Sequence, residues 1–264
     1  MKRFPLGPLS ILVIYFGLVL QIAAAQTQTT TTTATQDPQA VSVLQQSVVA
    51  MGTTTPSDST ATGTITTVAG SLTENGTVTI LTRGADQTSE QIQTPHGSTI
   101  VYSQGQASEI SGAASTPLSM ELTQTSQCPY FPLPLIASAL NNPDTGYKYI
   151  GLESLNGVSV QHVQIWNSYA SVPQMQALSE FTVADLWLDA ASYLPTRLSY
   201  THRVAGGSEP RITVDVYYSN YQNMGGAFYP LSILKSFNGT PSVSITIQRV
   251  AFNTGLTNQE FPVQ

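Results

Sequence analysis

The sequence predicts a mainly β protein with a few helices (α+β), in which a strongly curved antiparallel sheet, or half-barrel, is covered by helices. Three observations support this fold class. Apolar and polar residues alternate through most of the chain after residue 60, which is the period of a half-buried strand. Two short segments have helical spacing or all-round apolarity instead. Asn-Gly pairs, which favour type I′ hairpin turns, recur along the alternating part.

The composition argues against several classes of function. The chain has 264 residues, a net charge of -6 and only nine Lys and Arg residues. Nucleic acid is not an expected partner, because neutralising phosphates requires clustered basic side chains. One cysteine and three histidines leave little material for a metal centre, and the chain has no nucleophile elbow and no phosphate-binding loop. We expect no catalytic residues, no metal site and no cofactor.

The N-terminus has the features of a secretory signal peptide over residues 1–25. Lys2 and Arg3 precede an apolar run that ends in three alanines, which supply the small residues of a cleavage site. The alternative is a membrane anchor, since the run is about long enough to cross a bilayer. A proline, a glycine and a glutamine inside the run favour the signal peptide. We therefore expect an exported protein, periplasmic or extracellular, with no membrane span after cleavage.

Residues 26–36 are predicted to be a threonine-rich flexible leader, because they have almost no apolar surface to bury. Residues 37–264 are predicted to form a single domain that begins with a helix over 38–51. Asp37 is suited to the N-cap of this helix, Pro38 follows at its first position, and a glycine stands just after its end. The apolar stripe that should face a core consists of Val41, Leu44, Val48 and Met51.

The rest of the domain is predicted to be an antiparallel meander of roughly ten or eleven strands, joined mainly by hairpins. Turns are expected at Asn75-Gly76, Asn156-Gly157 and Asn238-Gly239. The candidate strands are residues 60–68, 76–83, 87–94, 98–104, 107–112, 146–154, 158–167, 184–188, 198–204, 212–218, 226–237 and 242–252.

Two of these strands shift their apolar residues from one parity to the other. The shift lies between Val160 and Val163 in one strand and between Ile247 and Val250 in the other. A single extra residue in each strand would produce a β-bulge, which bends and twists a sheet. A long bulged antiparallel sheet curls, so we expect strong curvature.

The segment 131–140 is apolar nearly all round and is predicted to contain a short helix over 133–141. Such a helix should be covered on most sides. Two interpretations remain open: a plug that closes the core, or a lid over an apolar groove that a ligand can displace. Its candidate ligand contacts are Leu135, Ile136 and Leu140.

The three cleanest alternating strands, 184–188, 198–204 and 212–218, should align their apolar faces on one side of the sheet. This wall is either the groove that binds a ligand or a core filled by the two helices. Asp185 and Asp189 alternate with the apolar residues and should lie on the solvated outer face. The wall consists of Leu186, Leu188, Leu198, Tyr200, Ile212, Val214, Val216 and Tyr218.

The order of these elements resembles the LolA/LolB-like group of periplasmic half-barrels that carry lipoproteins or bind lipid. The resemblance covers residues 37–264 and implies a curved sheet around helices, with an apolar concave face that can hold acyl chains. The chain differs from the LolB type in lacking a lipid-attachment cysteine. The motifs that carry the resemblance are Gly63-Thr64-Ile65-Thr66, Gly76-Thr77-Val78-Thr79-Ile80, Leu186-Trp187-Leu188-Asp189, Leu194-Pro195-Thr196-Arg197-Leu198 and Gly225-Gly226 leading to Tyr229-Pro230.

Three functions of different classes are compatible with this sequence. The first is an exported, non-enzymatic carrier-like protein that binds lipid or an acylated lipoprotein in the apolar groove. The second is an envelope interaction or sensor module that binds a protein partner through the same surface. The third is a hydrolase with a site that no motif reveals. Acyl chains that co-purify with the protein would favour the first.

Overall fold

The computed structural model describes residues 34–104, 107–111, 116–117, 129–203 and 211–261. The predicted signal peptide and the leader up to residue 33 lie outside the described residues. Those that are described belong to one compact unit, residues 32–264.

A single antiparallel sheet contains every described strand. It has 13 strands, in the spatial order β6-β5-β4-β3-β2-β1-β13-β12-β11-β10-β9-β8-β7. The strands are β1 (Asp58–Ala69), β2 (Leu72–Arg83), β3 (Gln87–Thr94), β4 (Gly97–Gln104), β5 (Ala107–Ser111), β6 (Thr116–Pro117), β7 (Thr145–Leu155), β8 (Val158–Asn167), β9 (Ala184–Asp189), β10 (Pro195–Arg203), β11 (Arg211–Asn223), β12 (Phe228–Phe237) and β13 (Thr240–Phe252).

The α-helices are α1 (Pro38–Met51) and α2 (Pro132–Asn141), and two 3₁₀ helices span Pro173–Phe181 and Asn258–Glu260. Both predicted α-helices are thus confirmed, and the 3₁₀ helices were not predicted. Asp37 caps α1 as expected, with its Oδ1 accepting a hydrogen bond of 2.8 Å from the Gln39 amide. None of the described helices combines the length and apolarity needed to span a membrane.

The chain builds the sheet outward from its centre and then returns to it. β1 to β6 run to one edge, the chain crosses to the opposite edge through α2, and β7 to β13 return until β13 pairs with β1. The sheet is open and curved, which confirms the predicted fold class. We call the face that carries the helices the inner (concave) face and the opposite one the outer face.

Two of the three predicted Asn-Gly turns are confirmed. Asn156-Gly157 and Asn238-Gly239 join consecutive strands, and all four residues have positive φ, as a type I′ turn requires. The prediction at Asn75-Gly76 is wrong, because this pair lies inside β2. The backbone of β3 approaches Gly76 closely, since a Cβ at this position would lie 2.3 Å from the Gln93 carbonyl oxygen. The need for close strand approach, and not a turn, explains this glycine.

One predicted bulge is confirmed and the other is wrong. In β13 the partners of Thr62 and Gly63 are Arg249 and Ile247, so Gln248 is the extra residue. Gly63 is required there, since an added Cβ would lie 2.1 Å from a backbone oxygen of β13.

The bulge predicted in β8 is absent, and the register shift between β7 and β8 comes from an extra residue of β7, Ile150. β8 keeps an unbroken register with β9 from Val160 to Ile165. Val160 is opposite Asp189 on the outer face and is nevertheless buried, whereas Val163 is buried on the inner face. Because β8 buries apolar residues on both faces, the change of its apolar residues from even to odd positions does not indicate a β-bulge.

The core lies between the helices and the inner face of the sheet. Helix side chains pack against inner-face residues of the central and later strands. Phe131, just before α2, stacks on Tyr229 of β12 with 4.7 Å between ring centroids. The apolar helix residues with no exposed surface are Ala40, Leu44, Met51, Leu133 and Ile136.

The end of the predicted leader is tied to the sheet. Gln36 forms a parallel bridge with Tyr147 in the edge strand β7. The Tyr147 amide donates to the Thr35 carbonyl at 2.9 Å, and the Asp37 amide donates to the Tyr147 carbonyl at 3.2 Å. These bonds cover part of an edge that would otherwise present unpaired backbone groups.

Candidate functional site

The inner face carries two adjoining cavities between α2, the β2–β3 turn and strands β9 and β10. One has a volume of about 110 Å³ and the other about 320 Å³. We call them the inner and outer parts of the concave cavity. They share part of their walls, and the residues that line both are Ala85, Leu135, Thr182, Ala184 and Leu198.

The inner part is lined mainly by apolar side chains. Leu135 of α2 lies on one side, and Ala184, Leu198 and Tyr200 of β9 and β10 lie on the other. Register places these β9 and β10 residues on one face, because Ala184 pairs with Tyr200 and Leu198 pairs with Leu186. The further lining residues are Thr82, Gly84, Thr88, Pro129, Phe131, Pro134, Phe181 and Val183.

The outer part combines an apolar wall with several polar groups. Leu186 and Ile165 continue the apolar surface of β9 and β8, and Trp166 also lines this part. The polar residues lie in loops, in and just after α2, and at the ends of β7 and β8. They are Asp86, Ser138, Asn142, Thr145, Asn167 and Tyr169.

The structure divides the predicted apolar wall into two regions. Leu135, Leu186, Leu198 and Tyr200 line the concave cavity. A second group is buried in the core beneath the helices, so that nothing in the described part of the chain places it beside the cavity. This buried group consists of Leu188, Val214, Val216, Tyr218 and Ile136.

Ile212 and Leu140 belong to neither region. Ile212 is half-buried and packs against the core, and Leu140 lies at a separate depression beside Gln36. The two open interpretations, filled core and groove, therefore each describe part of the wall. Leu186 and Leu198 are buried in the same core cluster as Val214 and Val216 and differ from them in also lining the cavity.

The start of α2 is fixed against the core. Tyr218 in β11 donates a 2.5 Å hydrogen bond to the Pro129 carbonyl. At the other end of the helix, the Tyr147 hydroxyl donates to the Ala139 carbonyl, and burial raises the pKa of Tyr147. α2 is thus held at both ends across the inner face, and Leu135 lies between these two attachments.

Several lining residues were not predicted from the sequence because they lie in turns and loops. Ala85 belongs to the β2–β3 turn, and Tyr169, Phe181 and Thr182 belong to the long connection between β8 and β9. Loops have no regular hydrophobic period. The one available signal is the apolar character of Phe181 and Val183 directly before β9.

The outer face of β7 to β9 carries a cluster around a histidine. His162 Nδ1 lies 2.8 Å from Glu153 Oε1, and its Nε2 lies 3.0 Å from Asp185 Oδ1. The imidazole stacks on the indole of Trp187 with 4.3 Å between centroids. Hydrogen bonds from Trp187 and His162 lower the pKa of the Glu153 carboxyl. Asp185 and Asp189 both lie on this face, as the alternation predicted.

The same cluster continues into β10 and β11. The guanidinium carbon of Arg197 lies 4.3 Å from the Trp187 ring centroid, and its Nη2 lies 2.8 Å from Asp215 Oδ1. Charged and aromatic side chains thus pair across neighbouring strands, which stabilises the sheet. Within the described residues, no group of three or more His, Cys, Asp or Glu side chains is placed to hold a metal ion.

Comparisons with known proteins identify the fold. No family model matches the chain, and no curated protein matches it. A LolA superfamily protein from Nitrosomonas europaea matches with a TM-score of 0.56 and 14% identity, over 84% of this chain and 97% of that one. A Vibrio parahaemolyticus domain assigned to an outer membrane lipoprotein-sorting protein matches with a TM-score of 0.54 and 15% identity, over 84% and 96%.

A third similar structure is a DUF1329 family protein from Desulfovibrio piger, with a TM-score of 0.56 and 11% identity, over 85% of this chain and 96% of that one. At these identities the matches establish the fold. The chain has the LolA-like half-barrel fold, which confirms the resemblance inferred from the order of its elements.

Proposed function

We propose that the protein binds an acyl chain of a lipid or of a lipid-modified protein in the concave cavity, and that it does so as an exported carrier-like protein without catalysing a reaction. The observation that carries the proposal is the cavity itself. It is lined mainly by apolar side chains, and its outer part alone reaches the roughly 300 Å³ at which ligand sites begin.

The position of the cavity supports this proposal. It lies on the concave side of a half-barrel whose fold is shared with the LolA superfamily structure. Its apolar walls come from strands β8 to β10 and from α2, which are packed elements. The polar groups of its outer part come from loops, from α2 and its C-cap, and from the ends of β7 and β8. A rigid apolar wall with polar groups at one end suits a ligand that has a hydrocarbon chain and a polar head.

The signal-peptide features support export, and the single cysteine and the paired outer-face charges offer no recognisable nucleophile. The sequence and the cavity therefore support binding over catalysis. The ligand class follows from the cavity lining, and the choice between free lipid and acylated protein belongs to the experiment.

The test uses Ala184, which lines both parts of the cavity. Ala184→Phe should fill the cavity and weaken the binding of diphenylhexatriene, a hydrocarbon probe that fluoresces in apolar sites, at least tenfold. The thermal midpoint should change little, because the new ring enters existing space. The matched control is Ala251→Phe, at an exposed position of β13 away from the cavity; it should leave binding unchanged.

Native mass spectrometry of the exported protein identifies the occupant. We expect bound species with the masses of acyl lipids, or an acylated protein partner. A wild-type protein that neither binds the probe nor carries an acyl species would overturn the proposal. Equal probe binding by Ala184→Phe and Ala251→Phe would also overturn it.

A further inference from the structure

The outer part of the concave cavity contains a tyrosine whose hydroxyl has no hydrogen-bond partner in the described structure. Tyr169 is only 4% exposed, and its Oη atom is enclosed without a donor or acceptor nearby among the described residues. Leaving a buried hydroxyl unpaired is unfavourable, because the group loses its hydrogen bonds to water and gains none in return. Burial raises the pKa of this hydroxyl, so it stays protonated and remains a hydrogen-bond donor.

The backbone holds Tyr169 in an uncommon conformation. Its φ is 51°, in the left-handed region that a bulky residue rarely adopts. The loop is fixed there because the Tyr169 amide donates to Asn167 Oδ1 at 3.0 Å and the Ser168 amide donates to the Asp144 carbonyl at 2.8 Å. The ring is therefore placed beside the cavity by the loop, although the hydroxyl finds no partner there.

Two amide side chains at the same end of the cavity also present donors. Asn142 Oδ1 accepts from the Asp144 amide at 2.9 Å, and Asn167 Oδ1 accepts from the Tyr169 amide. Because these backbone amides can only donate, they determine which atom of each side chain is the oxygen. The NH₂ groups of Asn142 and Asn167 are what remains for a ligand. Donors thus gather where the cavity becomes polar.

The charge of the lining restricts the ligand further. Among the described residues that line either part of the cavity, none is Lys, Arg or His, and Asp86 contributes a carboxylate. A ligand anion placed here would lose its hydration with no cation to compensate and a carboxylate nearby. A neutral carbonyl oxygen can accept from the same donors without that cost.

We propose that this end of the cavity is a subsite for a neutral acyl ester or amide, whose carbonyl oxygen accepts a hydrogen bond from the Tyr169 hydroxyl, and that it discriminates against free fatty acids and lipid phosphates. The proposal rests on the acyl-binding function proposed above and names the class of head group. Since Oη is enclosed, the ligand oxygen reaches it only when a neighbouring group moves aside.

The test compares ligands with one chain length and different head groups. In separate titrations at pH 8, the exported protein loaded with diphenylhexatriene receives 1-lauroylglycerol, laurate or dodecyl phosphate. Displacement of the probe measures the affinity of each ligand. We expect the ester to bind at least tenfold more tightly than either anion. Equal or tighter binding of laurate or dodecyl phosphate would overturn the subsite while leaving acyl binding intact, whereas failure of diphenylhexatriene to enter wild-type protein would overturn the proposed function itself.

Tyr169→Phe separates a ligand contact from a structural role. The variant should bind the ester about tenfold more weakly and the hydrocarbon probe unchanged, with a thermal midpoint equal to or above that of wild type, because the lost hydroxyl has no partner. Tyr217→Phe, which removes a hydroxyl on the outer face, should change no affinity. Unchanged ester affinity in Tyr169→Phe, or equal weakening of probe and ester, would overturn the proposal.

Discussion

The indole of Trp166 lies across Gly146, where an added Cβ would come within 2.2 Å of the ring atom Cε2. The two residues are paired across β7 and β8, so the ring of one occupies the space that the other leaves by having no side chain. Trp166 also lines the outer part of the concave cavity. A glycine therefore determines where the Trp166 ring packs on β7.

Gly146→Ala should move the Trp166 ring and alter the cavity. We expect a loss of about 1–3 kcal/mol in the free energy of unfolding, as overpacking typically costs. The intrinsic tryptophan fluorescence should shift, and diphenylhexatriene affinity should change with it. Denaturant unfolding, emission spectra and probe titration measure the three quantities.

The matched control for Gly146→Ala is Gly70→Ala. Gly70 has open space around its Cα but a φ of 62°, so alanine there costs only backbone strain. It should lower stability without changing the tryptophan emission or probe binding. If Gly146→Ala left the emission spectrum of wild type intact, the packing of Trp166 on this glycine would be contradicted.

Val214→Trp tests the division of the apolar wall into core and cavity. Val214 is 2% exposed and lies in the core beneath the helices. The larger ring should overpack this region and lower the free energy of unfolding by about 1–3 kcal/mol. Probe affinity, measured on the folded fraction, should stay near that of wild type. Loss of probe binding with an unchanged thermal midpoint would show instead that the groove extends over β11.

The protein should lose stability in acid because the Asp58 carboxylate stabilises the folded state only while it is ionised. Burial raises the pKa of this carboxyl, but hydrogen bonds from the side chain and amide of Thr254 and from the amide of Gly255 outweigh it, and the net pKa is lowered. A group whose pKa is lower in the folded state stabilises the protein above its unfolded pKa, about 3.9 for Asp, and loses that contribution as the pH falls through the folded value.

Asp58→Asn should therefore lower stability at pH 7, because the amide nitrogen cannot accept the bonds made to the second carboxylate oxygen. The difference from wild type should shrink as the pH falls below about 4 and the wild-type carboxyl becomes protonated. Urea unfolding at pH 7 and pH 3 measures both values. A difference that is the same at the two pH values would contradict the assignment.

Asp37 joins α1 to the edge strand β7. Its Oδ2 accepts from the Tyr149 amide at 3.1 Å and its Oδ1 from the Gln39 amide, and these bonds lower the pKa of the carboxyl. Asp37→Ala should lower the thermal midpoint by removing both bonds, whereas Asp37→Asn should keep the helix cap and lose less. Equal midpoints for the two variants would indicate that the cap contributes little.

Local patterns predicted the elements of this fold well. The cap residue of α1 and the alternation of β9 to β11 arise from neighbours along the chain, and the structure has both. Of the predicted apolar stripe of α1, Leu44 and Met51 are buried, whereas Val41 and Val48 are only partly buried. Predictions that depended on distant partners were less reliable. Asn75-Gly76 has the chemistry of a turn but lies inside β2, since the approach of β3 over Gly76 decides its conformation.

The candidate site was predictable only in part. Alternation identified Leu186, Leu198 and Tyr200 as inner-face residues, and apolarity identified Leu135 in the helix that crosses that face. No periodic signal marks Tyr169 or Ala85. Both belong to connections between strands, where the sequence carries no regular pattern and the backbone path depends on hydrogen bonds to distant residues such as Asp144.

The sequence by itself determined that this chain forms a curved antiparallel sheet with an apolar inner face, because hydrophobic period, helix capping and turn chemistry act between residues close together in the chain. Only the tertiary structure decided which part of that face is core and which part is cavity. Val214 and Leu198 have the same pattern in the sequence and are both buried, yet only Leu198 also lines the cavity. The difference depends on where α2 crosses the sheet, and long-range packing sets that path.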